Sequence, residues 1–309
     1  MALITFSSIS LLTTSLYFFS KPESLDAKTT DRTIWGHWGK PTAEFNWCEK
    51  DYPEGWWYVA EPWNTLSSLL YCAVAGLAYT QNREHLSPPL LLILLFIALI
   101  GLGSAMFHGS LLYSTQLLDE IPMSYLVFSA AHLLYSRGKN PPDNFFRRSM
   151  PYAVFFVATT MTAALWTVED GWMYEVTRGF LTLSFTGCFI FIFCVGAKLA
   201  EEVETAGGNR DDVTFLFELA FWSFVIAIMC WIIDIMCCTH LHYLPYSFPY
   251  PHLHALGWHG FSSFGLYFIF LTLAVHDCRV TRNLNVKVKF NQHSRFSLPV
   301  IELLKSKTK

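Results

Sequence analysis

Apolar residues run along this chain in seven stretches of roughly 20, separated by short polar connections, at Pro62 to Thr80, Pro89 to Phe107, Leu118 to Tyr135, Met150 to Val168, Thr177 to Val195, Thr214 to Cys238 and His254 to Val275. About 20 residues is the length at which a helix rising 1.5 Å per residue crosses the hydrocarbon core of a bilayer, so each run predicts a transmembrane helix. A further apolar run, residues 1–20, precedes the polar stretch Lys21 to Arg32. It lacks the basic start and the A-x-A site of a secretory leader, and it reads as a targeting segment, either cleaved or kept as an extra span. Composition agrees with the pattern. With 53% hydrophobic, 17% aromatic and only 15% charged residues, and a mean hydropathy of +0.34, the chain has too little polar surface for a soluble domain of this size. The predicted fold class is an all-α membrane protein, a seven-transmembrane helix bundle.

Basic residues orient the bundle. The connection after the third run carries Arg137, Lys139, Arg147 and Arg148. The tail carries Arg279, Arg282, Lys287, Lys289, Arg295, Lys305, Lys307 and Lys309. The positive-inside rule places both in the cytosol. The connections at 108–117, 169–176 and 239–253 contain no Lys or Arg, and 43–61 is acidic with a single Lys, so these lie on the opposite, lumenal face. Four segments follow: a hydrophobic targeting segment and linker at 1–34, a lumenal segment at 35–61, the seven-helix domain at 62–278 and a basic cytosolic tail at 279–309.

This topology gathers the ionisable residues that sit within or beside the apolar runs. Ser104 and His108 end the second run, Asp119 and Glu120 begin the third, and His252, His254 and His259 surround the start of the seventh, all at the lumenal end. Each has a plain structural explanation when taken singly. An interfacial His is often only a helix end, Ser in a membrane helix bonds back to its own backbone, and acids in a first turn favour the helix dipole. Their convergence on one face and one end is what points to a site, because imidazole and carboxylate are costly beside a bilayer core. Ser104 and His108, four apart, share a helix face. Zinc suits such a set, since a catalytic site holds it by three protein ligands and keeps a fourth position for water. Asp234, in the sixth run, is expected to orient a ligand His through its second nitrogen.

The stretches NWCEKDY, YVAEPWNT, GSAMFHGSLLYSTQLLDEIPM, WIIDIMCC and HALGWHG, in this order, resemble the alkaline ceramidases, including the yeast-type phytoceramidases and dihydroceramidases. The resemblance runs from about Trp35 to Val275, and the family belongs to a membrane-hydrolase superfamily that includes the adiponectin receptors. It implies a zinc-dependent amidase that cuts ceramide, phytoceramide or dihydroceramide to a sphingoid base and a fatty acid in the endoplasmic reticulum or Golgi. It also implies zinc ligands His108, His254 and His259, catalytic Ser104 and Asp119, and a Cys48–Cys238 disulfide. A calcium site of Asn46, the Trp47 backbone, Glu49, Asp51 and Glu61 is implied as well, an oxygen-rich set suited to a hard cation. The expected partner is a ceramide-type lipid in a membrane, not nucleic acid.

One spacing departs from the family. Its last motif places two histidines four apart, whereas His254 and His259 are five apart, which on a regular helix rotates the second by roughly 140° from the first at about 100° per residue. A π-bulge restores the alignment, and Gly257 eases the distortion. Asn46 and Asp51 stand where some relatives carry Asp and Asn. Two readings from other classes accompany the enzyme: a seven-span receptor or sensor with a structural zinc and no turnover, and a transporter or scaffold. The chain shows none of the internal symmetry common in transporters.

Overall fold

The computed structural model describes residues 36–45, 47–136, 145–168, 171–241, 253–290 and 298–304. Outside them lie the apolar run 1–20, Asn46, His252 and the basic residues Arg137, Lys139, Arg295, Lys305, Lys307 and Lys309, and the side chains of Arg147 and Arg148 are also not described. Among the described residues the chain forms seven α-helices: α1 (Pro62–Asn82), α2 (Pro88–Ser110), α3 (Tyr113–Ser136), α4 (Phe145–Thr167), α5 (Gly171–Thr205), α6 (Arg210–Leu241) and α7 (Phe261–His276). A π-helical stretch, Leu253–Gly260, leads into α7.

Among the described residues four segments are long and apolar enough to cross a membrane: Pro88–Ser110, Gly171–Gly196, Arg210–Cys238 and Leu253–Thr281. Helices α1 and α3 are less apolar for a reason visible in the packing. Their polar residues face inward, and Asn64, Ser68 and Gln116 are fully buried. Leu91, Leu95, Leu102 and Met106 on α2 and Trp222, Ile226, Met229 and Met236 on α6 are exposed on the outside. Large apolar side chains on the outside and polar groups buried among the apolar core reverse the pattern of a soluble bundle, and the chain is an all-α membrane protein.

Two local choices set the end of the bundle where the histidines lie. The final carbonyls of α2 have no partners within their own helix. The preceding segment supplies donors: Thr42 and Ala43 donate to Leu111 O, both at 3.0 Å, while Ala60 donates to Gly109 O and Glu61 to His108 O, both at 2.9 Å. At the start of α1, Glu49 accepts the free backbone N–H groups of Trp63 (2.7 Å) and Asn64 (2.8 Å). Residues 36–61 thus cap one helix start and one helix end, and the Cys48–Cys238 disulfide, with Cα atoms 5.2 Å apart, fastens them to the last turn of α6.

The described part of the basic tail forms an antiparallel hairpin, β1 (Val286–Lys289) with β2 (Val300–Leu303), pairing Val286 with Leu303. It folds back on the bundle, where Ile301 N–H donates to Asn82 Oδ1 (2.9 Å) and Tyr267 hydroxyl to Pro299 O (2.7 Å). This is the end of α1 and α7 away from the histidines.

Helices α2 and α3 approach closely at Gly103. A Cβ there would stand 2.0 Å from Leu118 O. Pro122 lies within α3 four residues after Leu118 and has no N–H to offer that carbonyl. Glycine on one helix and proline on the other allow the contact, which sets Ser104 beside Asp119. Gly103→Ala forces the helices apart, and a loss of about 1–3 kcal/mol is expected. It reads out as a lower thermal midpoint of the purified protein in detergent, and an unchanged midpoint would show that the contact is not needed.

Candidate metal centre and cavity

Three imidazoles converge at the end of the bundle capped by residues 36–61. His108 comes from the last turn of α2, and His254 and His259 from the π-helical entry to α7. One ring nitrogen from each lies within 4.8 Å of the others, and all three side chains are buried. Ring centroids are 5.2 Å apart for His108 and His254, 5.1 Å for His108 and His259, and 4.6 Å for His254 and His259. The five-residue spacing of the last pair is accommodated by the π-helix, whose i→i+5 bonding stacks residues five apart on one side. Gly257 permits it, since a Cβ there would meet Cys230 at 2.6 Å.

The neighbours of each ring indicate which nitrogen is left for an ion. His108 Nδ1 lies 2.5 Å from Glu61 Oε2, a carboxylate that accepts the Nδ1 hydrogen and leaves Nε2 as a lone-pair donor. His259 Nδ1 lies 2.7 Å from Ser67 Oγ, whose own hydrogen goes to Asn64 O at 3.1 Å. The serine therefore accepts from Nδ1–H, and Nε2 of His259 is again left as the donor. His254 stacks on Trp47 with centroids 3.8 Å apart, and its buried Nδ1 has no hydrogen-bond partner among the described residues. A buried polar atom without a bond is costly, and in a cluster of three neutral imidazoles a soft or borderline cation supplies the missing interaction. The donor set fits a metal such as zinc.

Ser104 and Asp119 stand beside the histidines. Ser104 Oγ is bonded to the Asp119 carboxylate and lies 3.0 Å from Ser68 Oγ. Asp119 is half-buried because a cavity of about 280 Å³ opens in front of it, with His254, Trp47 and Tyr71 on the same boundary and Phe185, Phe224 and Ile228 further along. Asp234 takes a different place from the one expected. Its carboxylate accepts backbone N–H groups of Cys48 (3.0 Å) and His254, holding the loop and the π-helix together rather than bonding an imidazole.

The acidic residues of the lumenal segment are buried: Glu49 is 4% exposed, Asp51 5% and Glu61 0%. Glu61 also accepts from Asn64 Nδ2 at 3.1 Å and faces Trp47 N–H at 3.4 Å. Burial, reinforced by the neighbouring Glu61 carboxyl, pushes Glu49 up to about 8. The bonds from Glu61 to His108 and from Ser67 to His259, and the stacking of Trp47 on His254, were not legible in sequence. Arg178 was also overlooked, although an arginine inside an apolar run is itself a signal.

The sequence matches the ceramidase family profile over residues 39–302. It is similar to a putative alkaline ceramidase of Dictyostelium discoideum, dcd3A, at 24% identity over 259 residues covering 75% of this chain and 85% of that one. Alkaline ceramidase YPC1 of Saccharomyces cerevisiae is 25% identical over 280 residues, 84% of each chain. An alkaline ceramidase of Arabidopsis thaliana is 26% identical over 277 residues, 88% of this chain and 96% of that one. The match spans both the histidine end of the bundle and the helices that line the cavity, and the chain belongs to the alkaline ceramidase family of amide hydrolases.

Proposed function

We propose that this protein hydrolyses the N-acyl amide of ceramide-type lipids at a zinc ion held by His108, His254 and His259. The observation that carries the reading is the convergence of three buried imidazoles, two with Nδ1 already engaged, next to a Ser104–Asp119 pair at the mouth of an apolar cavity. On this reading seven helices span the membrane, residues 36–61 are lumenal and the tail cytosolic, and the site faces the lumen of the endoplasmic reticulum or Golgi. The disulfide at the same end suits an oxidising lumen.

His108, His254 and His259 would hold the zinc, which would supply a bound water of pKa ~7 and a Lewis acid for the carbonyl. The chain's own residues do the rest. The cavity takes the alkyl chains and brings the amide to its polar end. The Asp119 carboxylate accepts the proton of the attacking water and returns one to the leaving amine. Ser104, bonded to Asp119, supports the water or the oxygen that gains charge. Glu61 and Ser67 hold His108 and His259 in the tautomer whose Nε2 is free to bind the ion. A sensor with a structural zinc needs no such acid–base pair at the mouth of a cavity.

Asp119→Ala should lower turnover of ceramide about 10²–10⁴-fold with zinc content intact, and Ser104→Ala should act in the same direction. Full activity in a folded Asp119→Ala protein would overturn the assignment. Replacing His108, His254 or His259 by Ala should remove both the zinc, measured by elemental analysis, and the turnover. Glu61→Gln should weaken zinc binding by about 10–100-fold, as measured by competition with a chelator.

A calcium ion at Asn46, the Trp47 backbone, Glu49, Asp51 and Glu61 is the second part of the proposal, supported by the burial of three carboxyls in one small region. Its signature is a pH-dependent stability. Glu49 titrates near 8 when folded against 4.5 as its ordinary value, so without a cation the folded state holds the proton longer and loses stability as pH rises through that window. Calcium should offset the loss, and the shift in thermal midpoint on adding calcium should grow from pH 6 to pH 9. A shift independent of pH, or none, would remove calcium from the site.

A further inference from the structure

The cavity has two unlike walls. Phe224, Ile228 and Trp231 of α6 and Leu266 of α7 form an apolar one. Helices α3 and α5 also bring apolar side chains to the cavity, Met123 and Phe185 among them, and these are interrupted by a polar stripe, Glu120 and Ser124 on α3 and Arg178, Thr182 and Thr186 on α5, with four-residue spacing on each helix. None of these side chains takes part in the proposed hydrolysis.

The hydrogen bonds along the stripe have a direction. Arg178 lies between two carboxyls, bonding Glu120 through both terminal nitrogens, one of them at 3.3 Å, and Glu44 Oε2 at 2.5 Å. Gln116 Nε2 donates to Glu120 Oε1 at 2.8 Å. Thr182 hydroxyl donates to Arg178 O at 2.9 Å, and Ser124 hydroxyl to Glu120 O at 3.3 Å. The hydrogens of the two hydroxyls and those of the guanidinium in these bonds are therefore turned towards protein acceptors. A carboxylate accepts at about four positions, and the bonds to Gln116 and Arg178 occupy three of those on Glu120. A hydroxyl oxygen that donates once still has lone pairs. The stripe therefore presents oxygen lone pairs to the cavity, with two carboxyls set against one guanidinium.

We infer that this wall is a subsite for the amino-alcohol half of the lipid, and that Glu120 and Thr182 accept hydrogen bonds from the hydroxyl groups next to its nitrogen. The inference rests on the hydrolase reading for the identity of the lipid, and it adds which half lies on which wall. A ligand group that meets lone pairs must donate, so a hydroxyl or an ammonium fits and a carboxylate or phosphate does not. The acyl chain has no donor and lies against the phenylalanine and leucine wall. Glu120 directly follows Asp119 in α3, and both line the same cavity. Hydroxyls on the two carbons next to the nitrogen-bearing carbon are therefore close to Glu120 when that nitrogen is at Asp119. A site built to bond a hydroxyl rejects the analogue lacking it far more strongly than an apolar pocket does.

The test measures binding, so that it is independent of turnover. A long-chain 2-amino-1,3-diol and a 1-aminoalkane of the same length are titrated into the purified full-length protein in detergent micelles by calorimetry. The diol should bind about 10-fold or more tightly than the plain amine, as bonds to a charged acceptor imply. Glu120→Gln should bring the two affinities to within about 2-fold, and Thr182→Val should narrow the gap in the same direction. Equal affinities in the wild type, or an unchanged ratio in the folded variants, would overturn the subsite. Thr182→Val leaves the Arg178 ion pairs intact and decides the matter if Glu120→Gln fails to fold. Ceramide hydrolysis, assayed on the same preparation, separates the two ideas: diol selectivity without hydrolysis refutes the hydrolase reading alone, and hydrolysis without selectivity refutes the subsite alone.

Discussion

Helix ends carry backbone groups without partners, and at the histidine end of this bundle one short segment satisfies two of them at once. Residues 42–61 donate to the last carbonyls of α2 and, through Glu49, accept from the first amides of α1. Because these bonds are made near a low-dielectric core, where an unpaired backbone group is costly, the segment has little freedom to lie elsewhere. Glu61 is its last residue, and its position follows from that constraint. Its backbone N–H bonds His108 O and its carboxylate bonds the His108 ring, so the capping of α2 and the orientation of the imidazole are a single arrangement. Trp47 and Cys48 belong to the same segment, the first stacking on His254 and the second tied to α6.

The same logic explains the π-helix. The Asp234 carboxylate holds the backbone N–H groups of both Cys48 and His254, so the start of the seventh helix is drawn against α6 and the capping segment together. Gly257 faces Cys230 across that contact with no room for a side chain. An α-helical path with histidines five apart would send one ring away from His108. The wider π turn keeps both rings towards α2 while retaining backbone bonds, and the distortion falls at the histidine cluster, the kind of place where such insertions are common.

Much of this was legible from sequence because two signals reinforce each other. Long apolar runs predict the helices, and the absence of Lys and Arg from alternate connections collects Ser104, His108, Asp119, His254 and His259 at one end, where the structure brings them together. What was not legible depends on directions that no spacing encodes. Ser67 is one of two adjacent serines in α1, and only the rotation of that helix aims it at His259. Asp234 lies beside His254, but whether it meets a ring or a backbone amide is a matter of a few ångströms. The tail hairpin did carry a signal: VKVK alternates with period two, and the structure buries its valines and exposes its lysines. Reading the tail by charge alone concealed that period. Arg178 was hidden for the opposite reason, since one cation within an apolar run changes the mean hydropathy little while dominating local electrostatics.

Amide hydrolysis in a membrane has to reconcile two solvents. Water and a metal ion belong at the polar boundary, whereas two alkyl chains belong in hydrocarbon. A cavity buried at mid-membrane would separate the reaction from its water, and one lying wholly in the capping segment would expose the chains. Here the cavity begins at Asp119 and His254, near the helix ends, and continues inward past Phe185 and Phe224 between α3, α5, α6 and α7. The polar stripe of Glu120, Arg178 and Thr182 extends the hydrophilic boundary inward along α3 and α5. A lipid with hydroxyls on one half and a bare acyl chain on the other would meet a matching asymmetry, and on the proposed reading its orientation beside the three histidines would follow from the difference between the walls rather than from the overall shape of the cavity.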